Sequence, residues 1–428
     1  MDDRNLRNWL RLALVALGIL SGAIARADDP AEPEKPTFGG ELLSREYLLG
    51  DWFGYRQKFA DHGITVDSNL TQFFQGVASG GLQQRFAYGD YFGSLIEVDG
   101  GKLGLLQGSY LTVRFEANFG STINRDTGAF NPAALGASLP VLDGGAAVTD
   151  FYYTQVLTEH FAVFFGKIDT FDGDENTFAA GRGIDQFLNS SLVWNPVSFL
   201  GMPYSTMGAG FIIKRGDEQI FTFTVMDPAE RIQDTIFNQP FATGVTLNAE
   251  LRVPVTIFGL PGHQLLGGDW SSKTFADLKQ DPRLLFPIPD VPIAQRIGTW
   301  NLYYNFDQYL VSDPTDPTRG WGIFGRAGYS DGNPNPIKYF LSGGIGGNSP
   351  IRGREHDAFG IGYAFSAASG ELGPIISRLV GNGQVVEAFY KAAVTPWFHV
   401  TADMQVIRGG FSGADTALVL GIRAKIHF

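Results

Sequence analysis

The chain has no cysteine, so it carries no disulfide framework, no thiolate metal site and no cysteine nucleophile. Long hydrophobic runs are also missing. Beyond the N-terminal segment nothing approaches the roughly 18 uninterrupted apolar residues of a membrane-spanning helix. Charge is sparse, at 18% of residues, and its balance is negative, with a formal charge of −12. Nucleic acid needs a basic footprint and is excluded as a partner. Histidine is rare too. His62, His160, His263, His356, His399 and His427 form no H-E-x-x-H and no metal spacing. There is no G-x-S-x-G nucleophile elbow. Gly343-Gly344-Ile345-Gly346-Gly347 lacks the Lys-Ser/Thr of a phosphate loop and reads as a flexible turn. The chain therefore reads as a non-enzyme without a cofactor.

The N-terminus has the pattern of a secretory signal. Arg4, Arg7 and Arg11 precede an apolar stretch from Leu12 to Ala25, and Ala25-Arg26-Ala27 is an A-x-A cleavage site. The apolar run is shorter than the ~20 residues a spanning helix needs. Cleavage after Ala27 would remove four arginines and two aspartates, taking the formal charge from −12 to −14. Residues 28–45, with Pro30, Pro33 and Pro36, read as a flexible acidic lead-in. A short helix is expected within 46–63, with Asp51 as N-cap and Gly63 as its stop. Trp52, Tyr55 and Phe59 would pack as one apolar stripe on the rim of whatever follows.

Glycine (55 residues) and aromatics (13%) are abundant, which favours many strands and turns. Side chains of a strand alternate between faces, and five segments alternate cleanly: 64–74, 110–119, 241–253, 299–307 and 398–406. In 110–119, Leu111, Val113, Phe115, Ala117 and Phe119 oppose Thr112, Arg114, Glu116 and Asn118. The last thirteen residues do the same. Leu418, Leu420, Ile422, Ala424, Ile426 and Phe428 share one parity, and Arg423, Lys425 and His427 the other. Ten weaker candidates lie near 88–98, 148–157, 161–168, 208–215, 220–227, 262–272, 320–330, 336–345, 358–366 and 384–392, which makes sixteen with the terminal strand.

A soluble sandwich usually ends near 100 residues and turns its apolar face inward. Here one strand series runs over 64–428, with Arg114/Glu116 and Arg423/Lys425 inside its cleanest members. An all-β, closed antiparallel transmembrane β-barrel of about sixteen strands, with a short N-terminal periplasmic helix, accounts for both facts. Closure satisfies the backbone in lipid, and the charged parity faces an aqueous lumen. The last strand should pair with the strand near Ile64. Residues 120–146, 169–206 and 273–297, the last with Pro282, Pro287, Pro289 and Pro292, are too long for turns. Such segments sit outside the cell or fold into the lumen.

Several phrases resemble the carbohydrate-selective porin (OprB) family. They are Gly50-Asp51-Trp52, Phe59-Ala60-Asp61-His62-Gly63-Ile64, Gly166-Lys167-Ile168-Asp169, Gln186-Phe187-Leu188-Asn189-Ser190 and Gly320-Trp321-Gly322-Ile323-Phe324-Gly325-Arg326. The tail from Val394-Thr395-Pro396-Trp397 to Phe428 follows the family's C-terminal pattern, and the matches span 47–428. One departure is Ile407-Arg408-Gly409-Gly410, where the family tends to have Asn-Pro-Gly-Gly. The resemblance implies a sixteen-stranded outer-membrane channel that favours mono- or oligosaccharides, surrounded by outer-membrane lipid and inserted by the barrel assembly machinery. Ending on Phe428 resembles the assembly signal of such barrels. The alternatives are a general or anion-selective porin of the same fold, or a structural or adhesive envelope protein.

A sugar-selective lumen needs apolar planes for ring faces and paired charges for hydroxyls. Arg114 and Glu116 precede the first long loop, with Arg125, Asp126, Lys167 and Asp169 as expected partners at a constriction. Glu250/Arg252 and Arg423/Lys425 repeat the i, i+2 arrangement on the lumen side. Phe187 and Trp194 are the candidate stacking platforms. Asp169, Asp172, Asp174 and Glu175 resemble a Ca²⁺ loop only in composition, since the spacing departs from an EF-hand, and read better as a solvated acidic loop.

Overall fold

The structure is a computed structural model that describes residues 40–234, 238–280, 283–313, 316 and 319–428. The predicted signal peptide, most of the 28–45 lead-in and Pro282 lie outside the described residues.

The barrel strands are β1 (Ile64–Gly81), β2 (Phe86–Asp99), β3 (Ser109–Asn118), β4 (Gly145–Thr158), β5 (Phe161–Asp169), β6 (Ser205–Arg215), β7 (Glu218–Met226) and β8 (Thr246–Ile257). They continue as β9 (Leu260–Ala276), β10 (Gln295–Ser312), β11 (Gly320–Ser330), β12 (Ile337–Asn348), β13 (Ala358–Ala368), β14 (Gly383–Thr395), β15 (Phe398–Arg408) and β16 (Asp415–His427). Each pairs antiparallel with its sequence neighbours. β16 closes the ring on β1, with Asn69 opposite His427 and Phe74 opposite Ile422. Closure leaves no strand edge, as a bilayer demands.

All sixteen expected strands are present, with shifted bounds. The strand expected over 241–253 starts only at Thr246, because Phe241 (φ 59°) and Gly244 (φ 129°) turn the chain. The Gly343–Gly347 run is not a turn. It lies inside β12, paired with β11 and β13.

Both ends of the strand series lie at one end of the barrel, where β4–β5, β6–β7, β8–β9 and β14–β15 are joined by two-residue turns. The opposite end carries the segments 119–144, 170–204, 227–245 and 277–294. Short periplasmic turns and long external loops are the habit of outer-membrane barrels. The third expected loop is shorter than 273–297 because its flanks extend β9 and β10.

The outer wall is apolar, with Phe74, Phe115, Phe151, Phe165, Leu302 and Ile422 exposed. The hydrophobic core sits inside the barrel. Residues 119–144 and 170–204 fold inward, and Ile123, Leu135, Phe178, Phe187, Leu188 and Leu192 pack on Phe73, Tyr91, Phe324, Phe389, Ile407 and Val419 of the wall. Glycines make room for this. A side chain at Gly360 would meet Phe187 at 2.7 Å, one at Gly362 would meet Leu192 at 2.8 Å, and one at Gly328 would meet Val197 at 2.8 Å. The inner faces of β11 and β13 are therefore sockets for the 170–204 loop.

The N-terminal helix, α1, is Tyr55–Asp61, after a single tight turn over Trp52–Gly54. Gly63 stops it with φ 84°, as expected. The apolar stripe does not dock: Tyr55 and Phe59 are exposed. The flank beside it does, through Arg56. Its guanidinium lies over Tyr47 and Trp52 and donates to Gly50, Val66 and Phe428 carbonyls. A cation that satisfies three carbonyls at the rim outweighs a stripe with no apolar surface to meet.

Candidate functional site

A cluster of ion pairs narrows the lumen where the 170–204 loop meets β3–β5. Arg182 is the hub. It donates to Asp169 (2.5 Å), the Tyr204 hydroxyl (2.7 Å), Glu116 (2.9 Å) and Asp172 (3.1 Å). Glu116 also accepts from the Tyr91 hydroxyl (2.5 Å) and from Tyr204. Beside this hub, Arg114 bridges Asp150 (2.7 Å) on β4 and Asp172 on the loop. Two cations thus hold four carboxylates. Arg182 has φ 56°, an uncommon backbone state for a side-chain-bearing residue, held by this many-sided pairing.

A second set of bonds pins the loop to the opposite wall. Arg326 of β11 pairs with Asp174 (2.7 Å) and donates to the Leu192 (3.0 Å) and Ala179 (2.8 Å) carbonyls. Glu387 of β14 accepts the backbone N–H groups of Leu188 (2.5 Å) and Asn189 (3.0 Å). Arg423 donates to the Gly183 (3.1 Å) and Gln186 (2.9 Å) carbonyls, and Lys425 pairs with Asp185 at 2.6 Å. Each of these four wall groups finds partners on the loop, without which its desolvation would be prohibitive.

The loop's titratable groups follow from these contacts. Burial would lower the Arg182 guanidinium, but Asp169 and Glu116 hold it firmly charged, above its ordinary range. Burial pushes the Tyr204 hydroxyl well up, so it stays a neutral donor. Burial alone would raise Asp185, yet Lys425, Lys391 and Arg423 hold it well below the usual carboxylate range.

Because the loop occupies the β11–β16 side, the open lumen lies along β1–β8. It is a cavity of about 620 Å³, with Tyr110, Tyr152 and Phe164 as aromatic lining and Thr65, Thr112, Thr222 and Asn248 among its polar groups. A smaller opening of about 220 Å³ lies beside β1, β2 and β16, lined by Asp67, Asn69, Arg114, Arg182, Asp185 and Lys425.

Of the residues expected from sequence, Arg114, Glu116 and Asp169 meet at the constriction. Glu250 lines the larger cavity and accepts from the Tyr303 hydroxyl (2.6 Å), and Arg252 lies 3.7 Å from Glu175. Arg423 and Lys425 point inward, but Arg423 is sealed beneath the loop it holds. Five expected residues are corrected. Arg125 is exposed at the outer mouth, 3.8 Å from Asp143, and Asp126 pairs with Arg85 (2.8 Å) on the same rim, so neither reaches the constriction. Lys167 faces the outer wall. It shares the parity of exposed Phe165, stands opposite exposed Phe151, and donates to the Ile232 carbonyl (2.8 Å). Phe187 (0% exposed) and Trp194 (4%) offer no face to a solute. Phe187 is wedged between Phe324 and Phe389, and Trp194 between Phe171 and Phe199.

The acidic run 169–175 is not freely solvated either. Its carboxylates pair with Arg182, Arg114, Arg326 and Arg252, and no metal-binding cluster occurs among the described residues. Sequence reasoning missed Arg182, Asp150, Tyr91, Tyr152, Tyr204, Arg326 and Glu387. One signal pointed to Arg182: it is the sole cation in 170–204, amid Asp172, Asp174, Glu175 and Asp185.

Comparison with known proteins agrees with the barrel fold. The family model described as carbohydrate-selective porin, OprB family, matches residues 83–428. The high-pH structure of Pseudomonas putida OprB is similar at a TM-score of 0.78 and 18% identity, covering 91% of this chain and 100% of that one. The low-pH structure of the same protein gives 0.56 and 16%, covering 90% and 99%. Identities this low carry the fold alone. A comparison with curated proteins found no match. On the family match, which spans most of the barrel, this chain belongs to the carbohydrate-selective porin (OprB) family.

Proposed function

We propose that this chain lets sugars diffuse passively across the bacterial outer membrane, through the gap between its inward-folded loop and the β1–β8 wall. The observation that carries this reading is the mixed lining of that gap. Tyr110, Tyr152 and Phe164 supply planar surfaces, and hydroxyls, an amide and carboxylates supply hydrogen-bond partners. A sugar presents an apolar ring face and a polar rim, and such a wall replaces its hydration on both. Diffusion through such a gap needs no cofactor, energy input or catalytic step.

In this reading the chain reaches the outer membrane by its N-terminal signal, with cleavage after Ala27. Residues 28–45 trail in the periplasm, and barrel assembly machinery inserts 64–428 into lipid. Arg114, Glu116, Asp169, Glu250, Arg252 and Lys425 set the width and polarity of the passage.

Liposome swelling tests this. Purified protein is expected to pass mono- or oligosaccharides faster than salts of matched size. Equal rates at equal size would replace the reading with a general porin, and no swelling would remove the channel.

A further inference from the structure

The ion pairs around the constriction are not symmetric in their access to water. We propose that the passage is cation-favouring, because the loop turns its carboxylates to the solute path and leaves their cationic partners recessed in the wall. Among sugars of one size, it therefore favours those carrying an amine over neutral ones, and neutral ones over those carrying a carboxylate or phosphate. This substrate class rests on the sugar-channel reading above. The ion preference needs only that the chain conducts.

The exposures of the paired side chains carry the argument. Asp172 is 48% exposed, while its partners Arg114 and Arg182 are 14% and 9%. Glu175 is 67% exposed against 15% for Arg252. Asp185 is 34% exposed against 7% for Lys425. In each pair the anion comes from the loop and all but one of the cations from the barrel wall. The exception, Arg182, is turned back beneath Glu116 and Asp169.

The larger cavity repeats the bias. Its charged lining is Glu97, Asp99, Asp172 and Glu250, with Asp150 and Asp169 buried against Arg114 and Arg182, and one ammonium, Lys102. The smaller opening has Asp67 and Asp185 against Arg114, Arg182 and Lys425, and those three cations are the recessed ones already named. A narrow passage with low-dielectric walls focuses the field of the charges nearest its axis, so exposed carboxylates dominate over cations set behind them. A protonated amine on the solute is then drawn in, and a carboxylate or phosphate is repelled.

Planar bilayers with a KCl gradient, at neutral pH and low ionic strength, provide the test. The full-length mature protein is expected to show a reversal potential of cation sign, with K⁺ favoured over Cl⁻ on the order of tenfold. Asp172→Asn, at the exposed loop carboxylate that lines the larger cavity, should reduce that ratio, and the triple variant with Glu175→Gln and Asp185→Asn should bring it near unity. In liposomes the wild-type order should be glucosamine, then glucose, then glucuronate. A reversal potential of zero or of anion sign in the wild-type channel overturns the proposal. So does a ratio unmoved by Asp172→Asn in a barrel that still shows heat-modifiable migration. A cation-selective channel that swells with no sugar would instead sink the sugar reading and leave the ion preference standing.

Discussion

Arg56 and Phe428, 372 positions apart, are joined by a hydrogen bond of 2.5 Å from the guanidinium to the main-chain oxygen of Phe428. The same guanidinium donates to Val66 on β1 at 3.0 Å, so one side chain bridges both strands of the closing seam. Arg56→Ala should weaken the seam. Hydrogen bonds to a charged donor contribute about 1.5–3 kcal/mol, and three are lost here. The expected outcome is heat-modifiable migration converting to the unfolded band at a lower temperature, with Arg56→Lys intermediate. An unchanged conversion temperature would show that the helix is a bystander.

Phe428 has a second tie: its N–H donates to the Ser68 carbonyl at 2.9 Å. Deleting Phe428 removes the Arg56 acceptor, this bond and the terminal aromatic. Outer-membrane levels should fall while the precursor is still exported to the periplasm. Fractionation and immunoblotting read both, and normal outer-membrane levels would contradict the expectation.

Arg182→Ala leaves Glu116 and Asp169 as buried carboxylates without their main cation. Breaking a buried pair by removing one partner costs about 3–5 kcal/mol. The barrel ladder does not depend on this residue, so the cost should fall on the seating of the 170–204 loop. Single-channel conductance is expected to rise and to become noisier, and the size limit in liposome swelling to increase. Arg182→Lys keeps the charge but not the fork that reaches four oxygens, and should lie between the two.

Which strands were easy to read in the sequence depended on what their inner faces touch. β3, β8 and β15 place Thr112, Arg114, Glu250 and Asp403 toward the lumen, and their alternation of apolar and polar residues is clean. β11, β12 and β14 place Phe324, Phe340 and Phe389 inward against the folded loops, so both faces are apolar and the period is blurred. The strand count and the seam survived this because turns still punctuate the chain. The constriction did not. Its partners meet only through the path of 170–204, which has no periodicity and is held by Arg326 and Glu387 from distant strands. Lys167 was misplaced for a related reason. Gly166 has φ 141°, the β4 partner strand carries an irregularity beside Asp150, and Asp169 rather than Lys167 enters the lumen.

Asp185 gives the loop seat a pH dependence with a definite sign. Its folded value lies below that of an unpaired carboxyl, about 3.9, chiefly because Lys425 outweighs burial. Its contribution is therefore fully present above that value and is lost as pH falls through the lower folded value. Conductance noise that depends on the Asp185–Lys425 pair should be absent from neutral pH to about pH 5 and appear only in stronger acid. Lys425→Met should move that onset toward neutral pH, since the strongest of the charges opposing burial is gone and the carboxyl titrates higher. Bilayer recordings across the pH range check both parts.

Phe187 and Gly360 test whether the loop is seated by shape as well as charge. Phe187 is fully buried, its ring edge-to-face with Phe389 at 4.9 Å between centroids. Truncation to Ala would cost about 3–5 kcal/mol, felt locally because the strands on either side are braced by their own ladder. From the other side, any side chain at Gly360 would collide with Phe389 and come within 2.7 Å of Phe187. Gly360→Val should therefore mimic Phe187→Ala although it adds volume. Both should widen the passage, seen as higher conductance and a larger sugar size limit. The double variant should add little to either, since each unseats the same segment. If the two effects instead summed, the shared socket would be wrong, and charge pairing through Arg326 and Glu387 would be holding the loop by itself.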